Sequence, residues 1–195
     1  MGTLNSIFLY LVQTAISLYL LVVFLRFLLQ AVKADFYNPI SQFIVKATNP
    51  AVVPMRKIVP GVGGYDMASL LLAFLLQMLA IATLVIIKYQ TMPGAQLLLV
   101  GGFFGLLGLA LNTLYIALII MVIVSWVAPG SNQPAIYLIY QITEPFIAPI
   151  RKVIPPMGGL DFSVLVLLIG MHVIRIALYD SAAALGVLGV APWLS

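Results

Sequence analysis

The sequence predicts an all-α integral membrane protein of two tandem, parallel repeats. Each repeat reads as a transmembrane helix, short interfacial helices and a second transmembrane helix, four crossings in all. Three observations carry this reading. Of 195 residues, 64% are hydrophobic and 7% charged, whereas a soluble domain has about 25% charged residues and could not hide so much apolar surface in one core. The apolar residues form four continuous blocks, Ile7 to Leu29, Met67 to Ile87, Leu97 to Ala128 and Phe162 to Tyr179. Each is near or above the roughly 20 residues needed to cross a hydrocarbon core of about 30 Å. The third observation is a phrase that occurs twice, NPAVVPMRKIVPGVGGYD at 49–66 and EPFIAPIRKVIPPMGGLD at 144–161.

The blocks are continuous rather than alternating, which excludes a transmembrane β-barrel. No Lys or Arg precedes the first block and no cleavage site follows it, so that block is expected to be retained as a helix. The chain has no cysteine, so disulfides, thiolate metal sites and cysteine nucleophiles are excluded. A shift of 95 positions aligns Pro39 with Pro134, Thr48 with Thr143, Pro50 with Pro145, Pro54 with Pro149 and Arg56-Lys57 with Arg151-Lys152. It also aligns Pro60 with Pro155, Gly63-Gly64 with Gly158-Gly159 and Asp66 with Asp161, without a gap. The units are residues 1–95 and 96–195. Two crossings per unit return the chain to its starting side, so both motifs face one compartment and the repeats are parallel.

Orientation follows from the basic residues near the helix ends. Arg26, Lys33, Lys46, Arg56, Lys57, Arg151 and Lys152 lie on the motif side, against Lys88 and Arg175 opposite. This bias predicts cytoplasmic motifs with both termini on the outer side.

Within the motif, Asn38-Pro39 reads as an N-cap followed by proline at the first helical position. Ile40, Phe43, Ile44 and Ala47 then share one face of a short amphipathic helix suited to the interface plane. Asn49-Pro50 is expected to end that helix. A second short helix is expected from Pro54, carrying Arg56-Lys57 and stopping before Pro60. Gly63-Gly64 turns the chain and Asp66 caps the next crossing; Pro145, Pro149, Pro155, Gly158, Gly159 and Asp161 repeat the scheme. The third block, long for one crossing, carries Gly101, Gly102, Gly105 and Gly108, so its helix should begin late, tilt or pack tightly.

This doubled P-x-x-x-P-x-R-K/R-x-x-P-x-x-G-G-x-D pattern between hydrophobic helices resembles the YggT (YlmG) family of bacterial and plastid membrane proteins. The likeness covers both repeats and most of the chain. It implies a fold and a location rather than a reaction. The family is associated with osmotic-stress tolerance and potassium uptake in bacteria, and with cell division, nucleoid distribution or cofactor assembly in photosynthetic lineages. Lys57 and Lys152 stand where a second arginine is frequent, and Asn49 stands where the second repeat has Glu144.

The candidate binding residues are Arg56, Lys57, Arg151 and Lys152, four cations placed to meet anionic lipid head groups or an acidic partner. Arg56 and Arg151 lie ten residues before Asp66 and Asp161 and can instead pair with them. A polar layer is expected at mid-membrane, where the repeat aligns Ser17 with Asn112 and Gln77 with His172. Such groups need partners, either across helices or along a pathway. No Ser-His-Asp set, paired carboxylates, phosphate loop or metal cluster is visible, so neither enzymatic activity nor a cofactor is expected. The expected partners are membrane lipids, anionic ones above all, other membrane proteins or further copies of the chain, with no direct nucleic-acid contact. Two functions stay open: a scaffold or assembly factor linked to membrane and osmotic homeostasis, and a subunit of an oligomeric potassium transporter or channel.

Cysteine labelling should place residues 33–66 and 129–161 on one face of the membrane, with both termini and the Lys88 turn on the other. Labelling of the two motifs from opposite sides rules out parallel repeats.

Overall fold

A computed structural model describes residues 3–128, 130–154, 161–191 and 193. Its helices are α1 (Thr3–Ala31), α2 (Pro39–Arg56), α3 (Met67–Tyr89), α4 (Ala95–Val127), α5 (Pro134–Arg151) and α6 (Phe162–Ala184). Four of them, α1, α3, α4 and α6, are long and apolar enough to cross a membrane. The expected repeat of crossing, motif and crossing is therefore present twice.

Local chemistry sets the helix ends. The Ile40 amide donates to Asn38 Oδ1 at 2.9 Å, and Pro39 follows where its missing N–H costs nothing. Asp66 caps α3 and Asp161 caps α6, accepting from the Ser69 and Ser163 amides respectively. Between α2 and α3, Val62 and Tyr65 exchange two backbone hydrogen bonds across Gly63-Gly64. Both glycines have positive φ, 62° and 85°, the conformation such a two-residue reversal requires. Pro60 lies just outside the helix, as expected. Pro155, Gly158 and Gly159 lie outside the described residues.

The motif differs from expectation in one respect. Pro50 and Pro54 do not divide it into two helices; α2 runs unbroken for 18 residues, and α5 does the same through Pro145 and Pro149. An internal proline deprives the carbonyl four residues earlier of its donor, at a cost of about 3 kcal/mol. Here all four prolines lie on the exposed side, four residues apart in each pair. The carbonyls they orphan therefore fall along the outer face. The inner face, Ser41, Ile44, Thr48 and Val52, is buried and holds the helix together by tertiary packing. That face also differs from the one read in the sequence: Ile44 is buried, but Phe43 and Ala47 are exposed.

The central crossings are α3 and α4, with α1 packed on α3 and α6 on α4. Helix α4 has 33 residues, about 50 Å at 1.5 Å per residue. It starts at Ala95 rather than late, and its glycines bring α3 close. A methyl group on Gly102 would approach the Phe74 ring to 2.9 Å, and one on Gly105 would overlap the Gln77 side chain. At the motif end α2 meets α5, where Asn38 Nδ2 donates to Pro134 O at 2.8 Å and the Asp35 amide to Gln141 Oε1 at 3.0 Å. The two motifs thus lie at the same end of the molecule. After α6 the chain folds back, and Val187 and Ala191 are buried against Ile81 and Val85. Trp193 packs against the core cluster of α1 and α4, and its carbonyl accepts from Asn112 Nδ2 at 3.0 Å.

Gly105→Ala should lower stability by about 1–3 kcal/mol, the usual cost of an added methyl in a filled core. Gln77→Ala in the same chain should restore most of it. Thermal unfolding of the two single variants and the double variant checks this, and additive losses would remove the contact as the cause.

Candidate functional site

The site begins at the first residue of the repeat motif to be buried with its charge. Asp66 is 3% exposed. Arg56, in the last turn of α2, reaches it with two nitrogens: Nη2 to Oδ2 at 2.5 Å and Nε to Oδ1 at 3.2 Å. Ser69 donates its amide to Oδ1 and its hydroxyl to Oδ2. Arg26, from the middle of the motif-side half of α1, places Nε 3.4 Å from the same Oδ2. The Arg26 Nη1 also donates to Thr48 Oγ1 at 2.8 Å, Asn49 Oδ1 at 2.9 Å and Val45 O at 3.3 Å. One carboxylate and one guanidinium thereby join α1, α2 and α3.

Burial alone would raise the Asp66 pKa. The hydrogen bonds from Arg56 and Ser69 and the Arg56 charge outweigh it, and the carboxyl lies below its ordinary range. Arg56 is correspondingly raised, its hydrogen bond to Asp66 exceeding the opposing desolvation.

The second repeat keeps half of this arrangement. Arg151 Nε and Nη2 donate to Asp161 Oδ2 at 3.1 and 2.8 Å, and the Ser163 amide to Oδ1 at 3.0 Å. Desolvation raises the Asp161 pKa less than Arg151 and Ser163 lower it, so it too lies below the usual range. The counterpart of Arg26, however, is Met121, whose sulfur accepts from Thr143 Oγ1 at 3.4 Å. The counterpart of Asn49 is Glu144, which takes Arg151 Nη1 at 2.8 Å. In the first repeat one acid serves two arginines; in the second, one arginine serves two acids.

The other sequence candidates fall into three groups. Lys57 and Lys152 end α2 and α5, exposed and without an ion pair among the described residues. Pro50, Pro54, Pro145 and Pro149 lie on outer helix faces, and Gly63-Gly64 makes the turn. The polar layer is not assembled. Gln77 is fully buried against Gly105, and neither amide atom has a hydrogen-bond partner among the described residues. His172 is exposed on the outer face of α6. Ser17 lines a cleft of about 420 Å³ between α1 and the Trp193 tail, and Asn112 binds that tail. Arg175 turns away from His172 to lie 4.9 Å over the Tyr115 ring of α4.

The sequence counts Arg26 only among the charges that set orientation, whereas the structure makes it a hub of the site. A charge within an apolar block is itself a signal of function, and the alignment of Arg26 with Met121 marks it as particular to one repeat.

A profile of CCB3/YggT matches the chain twice, over residues 5–87 and 100–182. The chain belongs to the CCB3/YggT family. An uncharacterised Pseudomonas aeruginosa protein is 46% identical over 183 residues, 93% of each chain. A Vibrio alginolyticus relative is 46% identical over 164 residues, covering 84% of this chain and 88% of its own. The Escherichia coli YggT protein is 37% identical over 177 residues, covering 91% and 92%. No solved structure matches. Both matched spans of this YggT chain contain one complete Arg–Asp clamp, so the clamp is common to the two repeats, while Arg26 and Glu144 each occur in one copy.

Asp66→Asn should cost about 3–5 kcal/mol, because it leaves the buried Arg26 unpaired. Asp161→Asn should cost about 1 kcal/mol, a cap and a half-exposed pair. Because both folded-state pKa values lie below the unfolded value near 3.8, the unfolded chain binds more protons in acid. This stability is present above about pH 4 and lost as pH falls through the folded values. Thermal melts against pH should show a flatter acid limb for Asp66→Asn; equal losses for the two variants would refute the difference in burial.

Proposed function

We propose that this chain is a non-enzymatic, multi-pass protein of the bacterial inner membrane, a scaffold or assembly factor in membrane and osmotic homeostasis. Its motif face lies in the cytoplasm and docks anionic lipid or an acidic partner. The observation that carries the reading is a pair of equivalent, outward-facing sites. At the end of α2, Lys57 is followed by Ile58, 82% exposed; at the end of α5, Lys152 is followed by Val153, 81% exposed. A basic residue beside a bare aliphatic one, on a helix lying along the membrane end, suits a head group and its acyl boundary together. The neighbouring arginines are held by Asp66 and Asp161, so the lysines are the docking charges and the arginines position the helices that carry them.

The cytoplasmic orientation rests on the excess of Lys and Arg on the motif side. The dispersal of Ser17, Gln77, Asn112 and His172 weighs against a pathway through one chain, because a conducted ion would need those groups in one file. Potassium transport is the reading against which the experiment is set.

The protein reconstituted in vesicles of mixed phosphatidylglycerol and phosphatidylcholine should enrich phosphatidylglycerol around itself, measured by lipid crosslinking. Lys57→Gln with Lys152→Gln should lower that preference roughly fivefold per lysine, as should salt. Potassium flux through the same vesicles should stay at the protein-free rate. An unchanged lipid preference in the double variant, or a flux that follows the protein, overturns the proposal.

A further inference from the structure

Beside the Asp66 clamp lies a cleft of about 610 Å³ whose polar lining is Arg26, Gln30, Lys33, Ser41, Asn49 and Arg56. We infer that this cleft, between α1 and α2 of the first repeat, is a binding site for a phosphoryl group. Lipid docking at Lys57 and Lys152 is a separate matter, since neither residue lines it.

Charge is the first ground. Three cations line the cleft, and Asp66, the carboxylate in contact with two of them, is shared between Arg26 and Arg56. Asp35, on the connection between α1 and α2, turns its Oδ1 to the Tyr37 amide at 2.9 Å. The cleft therefore holds more positive charge than its carboxylate neutralises, with Lys33 exposed at its rim and unpaired among the described residues. An anion in the cleft would meet that surplus.

The donors are the second ground. Every hydrogen bond of the Arg26 guanidinium runs through Nη1, with Nε beside Asp66, which leaves Nη2 free among the described residues. Ser41 is 4% exposed, and its Oγ has no hydrogen-bond partner among the described residues. A buried hydroxyl left unpaired on the wall of a cleft points to a ligand. Lys33 stands in the left-handed region, φ 55°, at the end of α1. The Lys33 amide bonds back to Gln30 O and that of Ala34 to Leu29 O, a helix-ending motif in which glycine is preferred at this position. That turn sets Lys33 on the rim of the cleft. Guanidinium, ammonium and hydroxyl together match the several acceptor oxygens of a phosphoryl group. The volume falls among those of small-molecule sites and leaves room for more than a bare ion.

The second repeat is the control that the molecule supplies. Its counterpart cleft, about 420 Å³, places Met121 for Arg26, Ser125 for Gln30 and Tyr140 for Val45, and keeps Arg151 for Arg56. Elsewhere in the alignment Ala128 stands for Lys33, Ile136 for Ser41 and Glu144 for Asn49. The Arg–Asp clamp holds that repeat together without these donors. In the first repeat Arg26 is tied into the clamp, whereas Lys33 and Ser41 take no part in it, and a ligand accounts for their presence.

The test uses the full chain in dodecyl maltoside, which carries no phosphate. Inorganic phosphate, then phosphatidylglycerol in mixed micelles, is titrated against chloride at equal ionic strength, with thermal unfolding and equilibrium binding as readouts. At least one of the two should bind and raise the melting temperature. Lys33→Ala with Ser41→Ile, which installs the residues of the second repeat, should weaken that binding by about tenfold or more, the usual worth of charged hydrogen bonds. Lys88→Gln, at the opposite end of α3, should leave it unchanged. Binding of phosphate itself with loss in the variant assigns a soluble phosphate or phosphoester; binding of the lipid alone with loss in the variant assigns a head group. Binding of neither, or equal binding by parent and variant, overturns the inference. Helix content and the ligand-free melt report whether the double variant is folded, and if it is not, Lys33→Gln alone, on the exposed turn, gives the same decision.

Discussion

The Asp66 carboxylate is the point at which the first repeat is closed. It sits at the N-terminus of α3, where the helix dipole and the Ser69 amide already favour an anion. From there it takes Arg56 from the end of α2 and Arg26 from within α1. An apolar α1 could slide or rotate against an apolar α3 at little cost, since lipid and side chain offer similar surroundings. A buried ion pair removes that freedom, because every other register leaves a charge unmatched. The position of α2 across the helix end, and the tight Gly63-Gly64 return into α3, follow from where Arg56 must reach.

Much of this architecture is legible in the sequence because it depends on local or repeated signals. Apolar runs declare the crossings, the shift of 95 declares the repeat, and Asn38, Asp66 and Asp161 act as caps as their positions announce. What is not legible depends on contacts. The prolines at 50 and 54 read as breaks, yet the buried Ile44, Thr48 and Val52 hold α2 continuous across them. Gln77 and His172 align in the repeat but meet different surroundings. Helix α3 is packed on both sides and buries Gln77, whereas α6 flanks the bundle and leaves His172 on its outer face. Arg26 is visible as a charge, but its partners lie 19 to 40 positions away, a distance that periodicity does not reach.

Duplication explains why two clefts in one chain differ so much. Each repeat needs its Arg–Asp clamp to fasten its interfacial helix, and both retain it. Once the clamp bears that role, the positions around it are free to change. In the first repeat they add Arg26 and make the cluster net positive; in the second they add Glu144 and make it net negative. The two differences are opposite in sign and occur at different positions of the unit.

That opposition bears on how the motif end works as a whole. Because α2 meets α5, the positive and negative clusters lie at one end of the molecule rather than on opposite membrane faces. Two clusters of opposite sign at one surface create a lateral field along the membrane, which an unaltered repeat pair would not have. The difference is confined to the clamps, where Arg26 lies buried beside Asp66 and Glu144 half-exposed beside Arg151, while Lys57 and Lys152 stay equivalent and exposed. The two repeats thus share their helix order and their Arg–Asp clamps but differ in the sign of the charge around them.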